Sequence, residues 1–274
     1  VTPDALRGLR KASRMLDEVL NRVPHKQAAY VGGSAFAHKA GLHASAIAKD
    51  PSTYEHIDPA LVGNSRIVPM SNQAGQSNLR ERLISMGLDV PKGDPALQRI
   101  LDRVKDREAV GYTYDTAQAS FEVLAREELG MMPEFFEVKR YRVTIERRRN
   151  KYNNMVSLSE AMVVIKVDGE KMLSVSESLG PDGCDRGPVN ALSKALMKDL
   201  GRYGDLVDDI RLTDFKVRIT NGGTEAVTRV IIDSEDGQGR TWSTVGVSAN
   251  IVDASFDALI DAIRWKLVRD GAKA

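Results

Sequence analysis

Cysteine is all but absent from this sequence. Cys184 is the single one, so no disulfide can form within the chain, and a reducing compartment fits that usage. An excess of either charge is missing too. The net charge is +1, which argues against a dedicated nucleic-acid binder and rules out an acidic disordered chain. No apolar run reaches membrane-spanning length; residues 161–165 are typical of the longest. Val1-Thr2-Pro3-Asp4 does not read as a signal peptide, and a start at Val rather than Met suggests a piece of a longer chain. Histidine is scarce, with only His25, His38, His43 and His56. There is no His-x-His pair and no Cys/His cluster, so the spacings typical of a metal site are lacking. The Gly-rich stretch Val31-Gly32-Gly33-Ser34 matches neither the Walker A nor the dinucleotide fingerprint, which leaves a plain turn as the better reading than a phosphate cradle.

What is present is an ordinary globular composition, 42% hydrophobic and 28% charged over 274 residues, enough for two domains or one large one. The first half reads as helical. Thr2-Pro3-Asp4 opens a helix that places Leu6, Leu9, Met15, Leu16, Val19 and Leu20 on one face until Pro24. A short helix is expected over residues 40–48 and an irregular stretch over 51–72. Further helices are expected over 77–86, from Asp94-Pro95 with Leu97, Ile100, Leu101 and Val104 in phase, and from Asp115 or Thr116 to Leu129.

After Pro133 the hydrophobic period changes from near 3.6 to near 2. Strands are expected over 138–146, 161–167 and 171–178, with Asp168-Gly169 as a hairpin turn, and a helix follows over 189–200. The order then repeats: strands over 210–219, 226–234 and 241–247, and a helix over 254–267. The helical segments 190–200 and 257–267 align at an offset of 67 residues with Ala and Leu on the same face. Two amphipathic helices can share such a pattern by chance, but the flanking strands recur as well, which favours an internal duplication. The fold class is therefore α+β: a mainly helical region over 1–132, then two βββα units over 133–274, their helices on one side of their sheets.

Spacing alone says little about chemistry. Three of the four histidines fall within residues 36–56 together with Ser45, Tyr54 and Glu55, a loop-rich segment able to present a general acid or base. Arg147-Arg148-Arg149 reads as a solvated turn at a strand end. Cys184 has no His near it in sequence, which counts against a nucleophile. The loop 180–188 that carries it feeds a helix N-terminus, whose free amides can hold a carboxylate such as that of an amino acid.

Several motifs in order carry a resemblance. The run from Gly33 to Ala46, Gly-Ser-Ala-Phe-Ala-His-Lys-Ala-Gly-Leu-His-Ala-Ser-Ala, is similar to the post-barrel segment of the isopropylmalate, homocitrate and citramalate synthases. Tyr54-Glu55-His56-Ile57-Asp58-Pro59 and Gln73-Ala74-Gly75-Gln76-Ser77-Asn78 continue it. Gly187-Pro188-Val189-Asn190-Ala191, residues 220–226 and Trp242-Ser243-Thr244-Val245-Gly246-Val247-Ser248 resemble the regulatory domain of that family, and the citramalate branch is the most similar.

The resemblance implies an acyltransferase in which acetyl-CoA, deprotonated at its methyl group, adds to the keto group of a 2-oxo acid. For the citramalate branch that acid is pyruvate and the product feeds isoleucine synthesis. A divalent metal is expected in a catalytic barrel that this chain does not contain; no cofactor is expected here, and the chain alone is expected to be inactive. The resemblance places a catalytic role on His43 and Tyr54, supported by His38 and Ser45; some relatives carry a carboxylate where Ser45 stands. It places an effector site for isoleucine, or leucine, on Val189, Asn190, Leu212, Phe215, Ile219, Thr224 and Thr228. The same residues also suit an ordinary β-layer core. A cytoplasmic homodimer, without nucleic-acid or membrane partners, is implied. Isopropylmalate synthase under leucine control and a stand-alone amino-acid-sensing dimer are the alternatives.

Overall fold

The computed structural model describes residues 2–20, 22, 25–38, 46–47, 49–67, 76–149, 152–179, 184–220 and 226–274. The chain divides into two compact units, Val1–Lys105 and Asp106–Ala274.

In the first unit, α1 (Pro3–Arg7) and α2 (Leu9–Val19) replace the one helix expected from Thr2 onwards, the break falling at Gly8. Thr2 caps α1 by accepting from the Ala5 amide. The apolar stripe of α2 is not buried: Leu9, Met15, Leu16 and Val19 all stand exposed. The irregular stretch holds two short 3-10 turns, Pro51–Thr53 and Pro59–Val62. Each begins with proline behind an aspartate, Asp50 or Asp58, whose carboxylate accepts a backbone N–H two residues on, the usual way an Asx side chain starts a turn. Helices α3 (Gln76–Ser85) and α4 (Pro95–Ala109), with Leu88 between them, supply the core: Leu79, Leu83, Leu88, Leu97, Ile100 and Val104 are fully buried. The helix expected over 40–48 lies largely outside the described residues.

The second unit starts with α5 (Gln118–Glu128), buried on nearly every side between α8 and strand β6. Two antiparallel meanders follow. The first is β1 (Glu137–Arg149), β2 (Met155–Val167) and β3 (Glu170–Glu177), covered by α6 (Pro188–Lys198). The second is β4 (Arg211–Ile219), β5 (Thr228–Glu235) and β6 (Thr241–Ser248), covered by α8 (Ile251–Arg269), with a four-residue helix α7 (Gly204–Val207) ahead of it. Asp168 and Gly169 both take positive φ, 51° and 87°, the geometry of a two-residue hairpin turn that matches strand twist.

The duplication extends to an irregularity. The first strand of each meander carries a bulge near its start, between Val138 and Arg140 in β1 and between Leu212 and Asp214 in β4. Inward residues of β2 (Ala161, Val163, Ile165, Val167) and β5 (Val230, Ile232) meet Ala191, Leu192 and Leu196 of α6 and Ala254, Phe256, Leu259 and Ile263 of α8 in one continuous core. Gly246 lets β6 lie against α8: a Cβ there would run into the Ala254 carbonyl.

Two expectations are corrected here. The β1–β2 ladder runs further than the alternation indicated, continuing through Ile145↔Ser159 and Arg147↔Ser157 to Arg149↔Met155. Arg147-Arg148-Arg149 is thus strand rather than turn. This end of the ribbon extends past β3, whose pairing stops at Glu160↔Glu177, and the charged β1 residues 146–149 show no apolar alternation.

Candidate functional site

Two groups of candidate residues stand in the two units. In the first unit the Gly-rich stretch is a turn held from behind. The buried Asn64 amide donates to the Tyr30 and Gly32 carbonyls at 2.9 Å each, and a Cβ on Gly32 would collide with the Lys26 backbone. The chain leaves this turn through a parallel bridge between Ala37 and Ile67. The His38 amide donates to the Ile67 carbonyl at 2.9 Å and the Ile67 amide to the Phe36 carbonyl at 3.0 Å.

Beside that bridge lies a charge cluster. The Glu55 carboxylate, its side chain 2% exposed, receives two N–H bonds from Arg66 (2.8 and 2.6 Å) and faces His38 Nε2 at 2.9 Å. Arg66, and after it His38, hold the Glu55 carboxyl below the usual carboxylate range despite its burial. Next to it in sequence, His56 Nε2 meets the Tyr30 hydroxyl at 3.1 Å, the rings edge to face. Tyr54 is 48% exposed, at the end of the first 3-10 turn. Of the expected catalytic set, Tyr54 and His38 are thus placed, while His43 and Ser45 lie outside the described residues. Glu55 and Arg66 were not singled out as partners of His38, because they stand 17 and 28 residues away in sequence and share no period with it.

In the second unit, register decides which effector candidates meet. Leu212 pairs with Ser234, Phe215 with Ile232, Val217 with Val230 and Ile219 with Thr228. The odd spacing between 212 and 215 would put them on opposite faces of a regular strand. The bulge between Leu212 and Asp214 absorbs one residue, so Leu212, Phe215, Val217, Ile219 and the cross-strand Thr228 share the face that carries the buried Ser234, Ile232 and Val230. The helices cover β5 and β6 and leave this edge partly bare: Leu212 is 43%, Val217 45% and Ile219 65% exposed, and Phe215 packs against the core. Val217 belongs to this strip although it was not among the candidates; its place in the alternation was the signal. At the inner end, Leu212 borders a small apolar cavity walled by Ser193, Leu196 and Met197 of α6 and Leu259, Ala262 and Ile263 of α8.

Val189 and Asn190 lie in the first turn of α6, in the other half. Pro188 occupies the first helical position, where its missing N–H costs nothing, and Gly187 takes φ 89° at the cap. Asp185 fixes the approach: its carboxylate accepts from the Gly187 amide and the Ser159 hydroxyl at 2.9 Å each, and from the Ser178 hydroxyl. Ser178 foremost, these donors hold the Asp185 carboxyl below its ordinary range. Val189 packs against the core, whereas Asn190 Oδ1 is shielded from solvent with no hydrogen-bond partner. A shielded acceptor without a donor is uncommon. Thr224 lies outside the described residues. Among the described residues no group of three His, Cys, Asp or Glu side chains is placed to hold a metal ion, and no helix is long and apolar enough to cross a membrane.

Fold and site together define a class: a helical segment with a clamped histidine, followed by a duplicated βββα module with an uncovered apolar edge. Two family models match the chain. Residues 115–267 match the LeuA allosteric (dimerisation) domain and residues 30–111 the homocitrate synthase post-HMGL domain-like family. The chain belongs to the LeuA allosteric (dimerisation) domain family. It is similar to (R)-citramalate synthases, with 40% identity over 98% of its length to that of Aquifex aeolicus, 42% over 96% to that of Geobacter sulfurreducens and 36% over 96% to that of Sulfolobus acidocaldarius. These matches take in 49%, 48% and 47% of the respective relatives, so the chain spans about half the length of the curated relatives it matches.

Proposed function

We propose that this chain supplies the linker and effector-binding parts of a homodimeric citramalate synthase, an acyltransferase that joins acetyl-CoA to pyruvate and is inhibited by isoleucine. The observation that carries the reading is the collinear similarity to citramalate synthases along nearly the whole chain.

In this reading the first unit brings His43 and Tyr54 to the condensation site, where an imidazole or phenol moves the proton of the acetyl methyl group. The condensing barrel and its metal belong to the enzyme outside this chain, and the chain alone does not turn over. The second unit takes the effector. The uncovered strip of Leu212, Phe215, Val217 and Ile219 suits a branched aliphatic side chain. The lone Asn190 Oδ1 accepts from the amino acid's ammonium group, and the free amides at the start of α6 receive its carboxylate. Occupation of this site biases how the linker presents His43, so that inhibition is a coupling between two sites.

Titration calorimetry of this chain with isoleucine and then leucine tests the effector. Saturable binding that prefers isoleucine is expected. Isoleucine and leucine differ by one branch point, a distinction worth about 1–3 kcal/mol, so the preference should be about 10- to 200-fold. A preference for leucine overturns the citramalate assignment in favour of isopropylmalate synthesis, and no binding overturns the effector site. For the whole enzyme, citramalate must form from pyruvate and acetyl-CoA, and removal of residues 133–274 must abolish isoleucine inhibition.

A further inference from the structure

We propose that Glu55 is a positioning residue that fixes His38 with its proton on Nε2 and its lone pair on Nδ1, so that His38 acts as a hydrogen-bond acceptor. The catalytic part of this inference rests on the reading that the first unit serves an acyl-transfer site; the tautomer part does not.

The argument starts from which atoms hold protons. Arg66 grips both Glu55 oxygens, with Nε 2.8 Å from Oε1 and Nη2 2.6 Å from Oε2. A carboxylate clamped by a guanidinium is ionised and can only accept. His38 Nε2 stands 2.9 Å from the same Oε1, so the hydrogen between them is on the histidine. The neutral ring then carries no proton on Nδ1, as in other sites where a carboxylate or carbonyl on one ring nitrogen decides the chemistry of the other.

A purely mechanical role explains the cluster less well. Segments 36–38 and 66–67 are already joined by the Ala37↔Ile67 bridge and its two backbone hydrogen bonds. Sinking the Glu55 carboxylate there, with Arg66 still partly exposed, adds a desolvation penalty that an apolar side chain would avoid. What the charged set does and an apolar one cannot is choose the protonation of the imidazole. Among the described residues, Glu55 faces His38, Arg66 holds Glu55, and Asp58 acts on Arg66 from the start of the second 3-10 turn.

The test has two arms. With 15N-histidine in this chain, long-range proton–nitrogen correlation in mildly alkaline buffer should show His38 as a single Nε2–H tautomer. In Glu55→Gln the neutral amide can donate as well as accept, and the ring should become a mixture. An Nδ1–H tautomer in the unsubstituted chain, or an unchanged single tautomer in folded Glu55→Gln, overturns the proposal; the first of these needs no variant to fold. In the full-length enzyme, Glu55→Gln should lower kcat about ten- to a hundredfold with KM within about threefold and a displaced pH profile, and Glu55→Asp should restore part of kcat. Loss of thermal stability with kcat and pH profile unchanged overturns the positioning role. Absence of condensation by the unsubstituted enzyme overturns the functional reading, and with it the catalytic use of His38, while the tautomer result stands on its own.

Discussion

At Gly246 the β6 backbone lies so close to the Ala254 carbonyl that a methyl group has nowhere to go. The obstacles, the Ala254 carbonyl and the Ala258 amide nitrogen, are backbone, so neither can swing aside. Gly246→Ala should therefore destabilise the second unit by about 2–4 kcal/mol, read as a fall in melting temperature. Asp261 carries a pH effect. Desolvation on α8 pushes its carboxyl from 3.8 up to about 7, only partly opposed by Ser120. A folded-state pKa above the unfolded one means that the folded form holds the proton more tightly. The stability this gives is full below about pH 4 and lost as the pH rises through about 7. Asp261→Asn should accordingly gain in melting temperature over the parent as the pH goes from acid to neutral, and an equal difference at all pH values would refute the assignment. Residues of this kind were silent in the sequence. Glu55 looks like any surface glutamate until Arg66 and His38 arrive from elsewhere in the chain, and the half-buried setting of Asp261 depends on α5 packing over α8. The four histidines stood out through their scarcity, and the catalytic reading of His43 and Tyr54 came from the order of the motifs around them.

Between residues and the whole, the elements were largely legible because each half keeps a clear period. Asp168-Gly169 announced its hairpin, and the helix expected over 189–200 stands at Pro188–Lys198. What the alternation hid was the extra residue in β4. Thr213 breaks the period, and only the pairing partners reveal that Leu212 falls back into phase with Phe215. Deleting Thr213 should remove the bulge and keep Leu212 in phase with Phe215, so isoleucine binding in calorimetry should stay near that of the parent. Deleting Thr213 and Asp214 together makes Leu212 and Phe215 neighbours on opposite faces and should weaken binding at least tenfold. Equal affinities in all three would remove the strip from the effector site. Leu212→Lys is a gentler probe, since Leu212 is 43% exposed: the melting temperature should hold while affinity drops.

For the second unit as a whole, the decisive feature is that α6, α8 and both meanders bury their apolar faces in one core. Neither βββα half owns a core it could keep alone, so thermal unfolding of this unit should be a single transition by circular dichroism and by fluorescence of Trp242 and Trp265. The two indoles are stacked 5.1 Å apart between β6 and α8, and their emission reports the loss of that contact. Isoleucine at a hundred times its dissociation constant should add about 2.7 kcal/mol to the stability of this unit. The repetition itself was visible in the sequence through the offset of 67 residues; the sharing of one core was not, because a sequence shows which faces are apolar and not which faces meet. A core assembled from two look-alike halves has a kinetic side as well. While chains refold, the first half of one molecule can meet the second half of another as readily as its own, and the closed exchange buries the same surface. Refolding yield of the unit should therefore fall as protein concentration rises, with swapped dimers as the by-product, and a dilute start should recover it.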